Sequence, residues 1–495
     1  MSDDVAAEAE IVAWLAARSE RQIDTACAHV FLAGDRALKV KRHADLGYVD
    51  FSTPERRRWA LDRELAFNQA NAPDIYRRVR RLTREAGGAL AIDGAGETVD
   101  HLLEMRRFDE TAVLSAHPEA IDGALAETLG RAIAGFHAKA PLRPAGGLTA
   151  LTWTIGSNAS LLRAIPALNP ARVRELVDRT ENELERQAAL LAHRSAAGYA
   201  RRCHGDLHLG NILLEAGRPV LFDCIEFSDL LSDLDVLYDL AFLLMDLDFR
   251  GRRDAGVRAL SAYLDEAARR FPADLWDGLA ALPLMLSVRA AVRAHVSAHG
   301  GDRGVAGAYL EAAIAHLSPA PPVLAAVGGY SGSGKSTFAR AAAAGLGSSP
   351  GAVVLRTDEV RKRLLDMPPT EPLAREHYEP VFQARTYEVM FADAAAMLRA
   401  GRAVILDASF TDPGLRARAA ALAEAAGVAF RPAWLEAPAE VLEARVAARS
   451  GDASDATVEV LRGQLARGAG AMDWPRVDAR ISADAAARLW LQGAA

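Results

Sequence analysis

The chain has 495 residues, of which 51% are hydrophobic and 25% charged, with a formal net charge of −7 and a pI near 6.0. That length and composition suit a globular protein with two large domains or about three smaller ones. The acidic balance offers no global field toward nucleic acid or an anionic membrane. Cys27, Cys203 and Cys224 are too few and too scattered for a disulfide framework or a zinc site.

The first residues, MSDDVAAEAE, carry no basic segment and no apolar core of a signal peptide. The most apolar run, VLYDLAFLLMDLDF, is interrupted by Asp239 and Asp246 and is too short to span a bilayer. A cytoplasmic protein with no membrane partner is expected. Lysine occurs only at positions 39, 41, 139, 335 and 362, and two of the motifs below require one.

In chain order, HVFLAGDRALKVKR is a pair of apolar runs around Gly34 and Asp35, which predicts a hairpin. A helix follows in STPERRRWALDRELAFNQ, with Thr53 as N-cap and Pro54 at its first position. GALAIDGAGETVDHLLEMRRF predicts a second hairpin that turns at Gly94–Gly96. Long amphipathic patterns dominate from about Ile121. They are broken by CHGDLHLGNILL, residues 203–214, and the run PVLF that follows it. NILL and PVLF, joined by EAGR, should pair as a hairpin. Antiparallel pairing then brings Asn211 beside Asp223, with Asp206 in the loop leading in. An amide oxygen and a carboxylate side by side suit a magnesium ion on phosphates, and the remaining carboxylate suits a base for a hydroxyl proton.

The prolines at 319, 321 and 322 end a helix near Ser318, and a buried strand starts near Val323. We therefore expect two domains, 1–318 and 319–495. The first reads as strands followed by helices, an α+β pattern. The second alternates PVLAAVGGY, GAVVLRTDE, RAVILDASF and VAFRPAWLE with helices, the pattern of a parallel α/β sheet.

His204-x-Asp206-x4-Asn211, followed by Asp223, resembles the catalytic loop and metal aspartate of the aminoglycoside phosphotransferase family, relatives of protein kinases. The resemblance implies a protein-kinase-like fold over roughly residues 25–300. It makes Asp206 the catalytic base, His204 a brace for the loop, and Asn211 and Asp223 magnesium ligands. Lys39 would meet the nucleotide phosphates, paired with Glu64, and LEMRRF would be the hinge that meets adenine. Lys41 lies on the same face of its strand as Lys39, so the lysine could sit one such step along. No glycine-rich loop precedes Lys39, and Ile225 stands where the kinase pattern has glycine. His208 reads as a hydrogen-bonded or solvated loop residue.

Gly329 to Ser336 matches G-x4-G-K-[ST] between an apolar strand and a helix, the context of a P-loop (Walker A). Gly329, Gly332 and Gly334 shape the loop, and its N–H groups with the helix start at Ser336 and Thr337 would receive phosphates. Lys335 would reach the β/γ-phosphates, and the Ser336 hydroxyl would bind magnesium. Asp358 and Asp407 close two strands and should face the nucleotide, since parallel sheets bind ligands at their carboxyl ends. This part resembles the small P-loop kinases: gluconate and shikimate kinases, zeta-toxin-like kinases and the kinase half of polynucleotide kinases. By that resemblance Asp358 is the base for the acceptor hydroxyl, with Arg361 near the substrate, and Asp407 takes a Walker-B-like metal role. Arg445 and Arg449, one helical turn apart, belong to a lid, and LAREHYEPVFQARTYEVM, with Tyr378 and Arg385, covers the acceptor.

Together these features resemble fusions of an aminoglycoside-phosphotransferase-like domain with an AAA-type or zeta-like P-loop kinase. The expected activity is ATP- and magnesium-dependent phosphoryl transfer to small-molecule hydroxyls at two separate sites. Two alternatives stand beside it: a nucleotide-binding regulatory protein with one half acting as an ATP sensor, and a nucleic-acid 5′-hydroxyl kinase. The acidic balance and the lack of a clustered basic stripe disfavour the latter.

Overall fold

The computed structural model describes residues 2–25, 27–45, 49–448 and 453–493. The chain divides into two compact units. One comprises Met1–Pro118 with Arg201–Leu234, the other Glu119–Ala200 with Asp235–Ala495.

The first unit is built on an antiparallel sheet, in the order β1–β2–β3–β6–β4–β5. After helix α1 (Ser2–Ala16) come β1 (Arg21–Asp24), β2 (Ala28–Ala33) and β3 (Arg36–Lys41). Helix α2 (Pro54–Gln69) then leads into β4 (Tyr76–Arg84), β5 (Leu90–Ile92) and β6 (Glu97–Arg106). β2 and β3 form the expected hairpin, with Ala33 opposite Arg36 across Gly34–Asp35. Thr53 caps α2 by accepting from the Arg56 N–H, and Pro54 opens it. Side chains alternate along β3. Leu38 and Val40 pack with Ile11 and Leu15 of α1, while Lys39 and Lys41 reach Glu64 of α2.

The second expected hairpin is different. β5 and β6 do not pair with each other; both pair with β4, on its two edges. The turn that makes a hairpin is the one between β4 and β5, and Gly94–Gly96 is instead a crossover beneath the end of β4. Gly96 allows this approach, since a Cβ there would lie 2.0 Å from the Arg84 carbonyl oxygen. The unit is completed by the hairpin of β7 (Ile212–Glu215) and β8 (Arg218–Leu221). Its two-residue turn has positive φ at Ala216 and Gly217, as tight hairpins require.

The second unit begins with helices α3 (Gly123–Lys139), α4 (Leu148–Arg163), α5 (Pro170–Ala196), α6 (Val236–Phe249), α7 (Arg253–Ala267), α8 (Leu282–His299) and α9 (Arg303–His316). The stretch Ala273–His299 is long and apolar enough to cross a membrane, and 78% of its most apolar window is buried inside the structure.

The proline segment 319–322 carries the chain from α9 into β9 (Val323–Gly329), inside this same unit. Helix α10 (Lys335–Ala343), β10 (Val353–Arg356), helix α11 (Thr357–Leu364), β11 (Val404–Asp407), β12 (Ala429–Glu436), helix α12 (Ala439–Ala447), helix α13 (Val458–Arg467) and β13 (Arg476–Asp478) follow. The sheet is parallel throughout, in the order β10–β11–β9–β12–β13. β13 is too short to stand out in the sequence. β10 ends at Arg356, so Asp358 lies in the first turn of α11 and not at a strand end. A helix N-terminus favours an acid there.

The helical part shares the core of this sheet. Val257 of α7 is buried with Phe338, Leu346, Val354, Ala403 and Ile405. Val257→Ala should therefore destabilise the sheet by about 2 kcal/mol, between the costs typical of losing one and three core methylenes. Hydrogen exchange along Val323–Gly329 is the measurement. It should accelerate in the variant although position 257 lies outside the P-loop segment.

Candidate functional site

In the first unit, β7 and β8 pair with Ile212 opposite Leu221. The Phe222 N–H donates to the Asn211 carbonyl at 3.1 Å, which puts Asp223 next to Asn211. Phe222 also accepts from the His204 ring at 2.9 Å, and the Ile225 N–H donates to the His204 carbonyl at 2.8 Å. His204, fully buried, thus ties the loop holding Asp206 to the segment holding Asp223.

Asn211 spends its amide nitrogen on Asp206, donating to the backbone carbonyl at 2.9 Å and to Oδ2 at 2.8 Å. The amide oxygen, the atom a metal would take, is left for other use. The Asp206 side chain is 38% exposed, open to an acceptor, and His208 Nε2 lies 3.4 Å from its Oδ2. His208 Nδ1 accepts from the Gly210 N–H, so this histidine orders the loop around the candidate base.

Asp223 adopts φ of 61°, a left-handed conformation that is strained for an aspartate. Its N–H donates to the Tyr76 hydroxyl at 3.0 Å, and its Oδ1 lies 2.9 Å from Lys39 Nζ. The side chain is still 47% exposed. A carboxylate that is both reachable and next to an amide oxygen fits a magnesium ion.

Behind it lies a charge cluster that contains the expected Lys39–Glu64 pair and extends it through Lys41 to Glu226. Glu64 receives Lys39 at 2.6 Å on Oε1 and Lys41 at 2.7 Å on Oε2. Lys41 also meets Glu226 at 2.5 Å. The structure thus divides the two lysines that the sequence left open: Lys39 alone reaches Asp223, and Lys41 closes a pair with Glu226. Burial opposes the charge on Lys39, but Asp223, Glu64 and Glu226 outweigh it and hold the ammonium well above the usual lysine range. Burial would likewise raise Glu64, but Lys39 and Lys41 prevail and hold its carboxyl well below the usual carboxylate range. The only sequence signal for Glu226 was its place three residues after Asp223.

In the second unit, Gly329, Gly332 and Gly334 take φ of 147°, 82° and 84°. A Cβ on Gly332 would meet the Leu442 carbonyl oxygen at 2.6 Å, so α12 closes over the loop only because that residue is glycine. The Ser333 hydroxyl is buried with no hydrogen-bond partner, an orphaned donor that a phosphate oxygen would satisfy. Lys335, at the start of α10, donates to the Tyr330 carbonyl at 3.0 Å, and the Ser331 N–H donates to Gln464 Oε1 of α13 at 2.9 Å. Gln464 was not legible as a site residue. Thr337 is exposed.

Asp407 ends β11; burial pushes its carboxyl up, although Arg356, Lys335 and the nearby Ser336 hydroxyl oppose this. Asp407 Oδ2 is buried without a hydrogen-bond donor. Ser336 and Asp407 lie together, a hydroxyl beside a carboxylate whose Oδ2 is 3.3 Å from Arg356 Nε, and such oxygens fit a hard divalent cation. Asp358 pairs with Arg361 at 2.9 Å. The Arg361 guanidinium lies 4.6 Å from the Tyr378 ring centroid, and the Tyr378 hydroxyl donates to Asp455 at 2.6 Å. Arg385 is exposed. Arg445 donates to the Ala479 carbonyl at 2.8 Å, a backbone contact at the end of β13. Arg449 lies outside the described residues.

Glu64→Gln should cost about 3–5 kcal/mol, because it leaves two buried ammonium groups short of a carboxylate. Chemical denaturation at neutral pH is the check. Because the native carboxyl of Glu64 is held low, its contribution is present above the ordinary carboxylate range and is lost as the pH falls below it. The difference between wild type and variant should therefore shrink in acid.

Comparison with known proteins follows this division of labour. Residues 49–282 match the phosphotransferase enzyme family, and residues 324–470 match an AAA domain. An uncharacterized protein of Mycobacterium tuberculosis is 33% identical over 473 residues, spanning 91% of this chain and 90% of the relative. Among solved structures, a GDP complex of aminoglycoside 2'-phosphotransferase-IIIa has 13% identity and a TM-score of 0.39, covering 63% of this chain and 98% of its own. A gluconokinase from Sinorhizobium meliloti has 21% identity and a TM-score of 0.25, covering 35% and 91%. The chain belongs to one family with the mycobacterial protein, and it carries a phosphotransferase-family domain followed by a P-loop kinase-like AAA domain.

Proposed function

We propose that the protein is a bifunctional ATP-dependent kinase with two separate nucleotide sites, each passing a phosphoryl group to the hydroxyl of a small molecule. The observation that carries this reading is that each unit gathers its own lysine, acid and metal-ligand set: Lys39, Asp206, Asn211 and Asp223 in one, and Lys335, Ser336, Asp358 and Asp407 in the other. The completeness of both sets speaks against a decayed, purely sensing half. The sparse cysteines, none of them in a disulfide, suit the cytoplasm.

In this reading Asp206 receives the proton of the acceptor hydroxyl, with Asn211 and His208 fixing its carboxylate. Lys39 holds nucleotide phosphate, and Glu64 keeps the lysine extended and charged. In the P-loop unit, the Ser333 hydroxyl, the loop N–H groups and Lys335 bind phosphate oxygens. Lys335 exchanges its bond to Tyr330 for that role, and Asp358 takes the acceptor proton. Magnesium at Asn211 and Asp223, and at Ser336 and Asp407, would neutralise phosphate charge when bound. Arg445 and Arg449 are proposed to serve the transferred phosphoryl group from the lid. The motifs support the phosphate end of this reading, and fold alone does not name the acceptor.

The test is transfer of label from γ-labelled ATP to a panel of sugars, aminoglycosides, nucleosides and nucleotide sugars. Label should appear on a hydroxyl of at least one acceptor. For an acceptor of the first unit, Asp206→Asn should lower turnover by about 10²–10⁴-fold while ATP affinity persists. For an acceptor of the P-loop unit, Lys335→Ala should lower turnover by about 10²-fold or more. Turnover near wild type in either variant, on an acceptor of its own unit, rules out the assigned role.

A further inference from the structure

Within the second unit, Glu359 follows the candidate base Asp358 but does not face it. It is 9% exposed, and Oε1 is shared among three guanidiniums: Arg356 at 3.3 Å, Arg131 at 3.4 Å and Arg340 at 3.9 Å. Arg356 belongs to β10 and Arg340 to the helix that follows the P-loop. Arg131 comes from α3, far away in the sequence, and is held by Asp265 of α7 at 3.0 Å. Arg340 is held in turn by Glu127 of α3 at 2.9 Å.

Arg356 has a second carboxylate. Its Nε lies 3.3 Å from Asp407 Oδ2, the oxygen that has no hydrogen-bond donor. Arg356 and Asp407 are 3% and 4% exposed, so solvent does little to screen the one guanidinium that Glu359 and Asp407 share, Glu359 through Nη1 and Asp407 through Nε.

We propose that Glu359 is a positioning residue of the P-loop site: by sharing Arg356 with Asp407 it sets how available Asp407 is for magnesium, and Arg131 of α3 tunes that balance from the helical part. The inference rests on the reading of Asp407 and Ser336 as the metal pair of that site. Glu359 touches neither nucleotide nor acceptor; it acts through Arg356.

The two ends of this chain of charges should respond with opposite signs. In Glu359→Gln, Arg356 loses a charged partner and turns toward Asp407, which then serves magnesium poorly. In Arg131→Gln, Glu359 has one cation fewer and holds Arg356 more firmly, which frees Asp407. The readout is ATP affinity of the full-length chain, measured with magnesium and again with EDTA. Binding at the P-loop is taken as the part lost when Lys335→Ala is added to each variant. The ratio of the two affinities should fall about fivefold or more in Glu359→Gln, within the usual range of coupling between sites, and should rise in Arg131→Gln. A residue that merely supports the fold would lower both affinities together and leave the ratio unmoved. Any pattern other than opposite shifts of the ratio overturns the proposal. If wild type shows no Lys335-dependent ATP binding, the P-loop reading itself fails and takes the proposal with it.

Discussion

A carboxylate buried among cations is the interaction on which both units are built. Removing a charged group from water costs several kcal/mol, and a protein tolerates it only when partners surround the charge. Glu64 meets this condition with Lys39 and Lys41, and Glu359 meets it with Arg356, Arg131 and Arg340. In each case the buried acid does not reach the reacting groups. It fixes a cation, Lys39 in one unit and Arg356 in the other, and that cation in turn contacts an acid of the candidate site, Asp223 or Asp407.

The two units use this arrangement on different frames. In the first, alternation along β3 sends Leu38 and Val40 into the apolar layer under α1 and leaves Lys39 and Lys41 for α2. One strand thus supplies core and chemistry from its two faces. In the second, a parallel sheet brings the ends of β9 and β11 together, so that Ser336 meets Asp407 at the mouth of the phosphate loop. Here the cost is paid in glycine, at positions such as Gly332 where α12 leaves no room for a Cβ.

Much of this was legible because it is local. The hairpin that joins Asn211 to Asp223, the cap of α2, the end of α9 and the phosphate loop all follow from neighbouring residues and short-range rules. The misreadings have a common cause in long-range pairing. Gly94–Gly96 carries the signals of a hairpin turn, yet β5 and β6 both choose β4, a preference set by a strand that precedes them. Asp358 lies past its strand because α11 starts early, at Thr357. Glu226, Gln464, Arg356 and Glu359 carry no motif of their own. Each becomes meaningful only through a partner elsewhere in the chain: Lys41, Ser331, Asp407 and Arg131. The proline segment marked a change of architecture from helices to a parallel sheet, while the compact unit extends across it because α7 lends Val257 to the core of the sheet.

The central claim is that one polypeptide holds two independent nucleotide sites. Equilibrium titration of the full-length chain with ATP and magnesium, read as stoichiometry, tests it most directly. The account predicts two ATP bound per chain, falling to one in Lys335→Ala and to one in Asp223→Asn, with the loss in each variant confined to its own unit. A stoichiometry of one in wild type, abolished by either substitution alone, would contradict it.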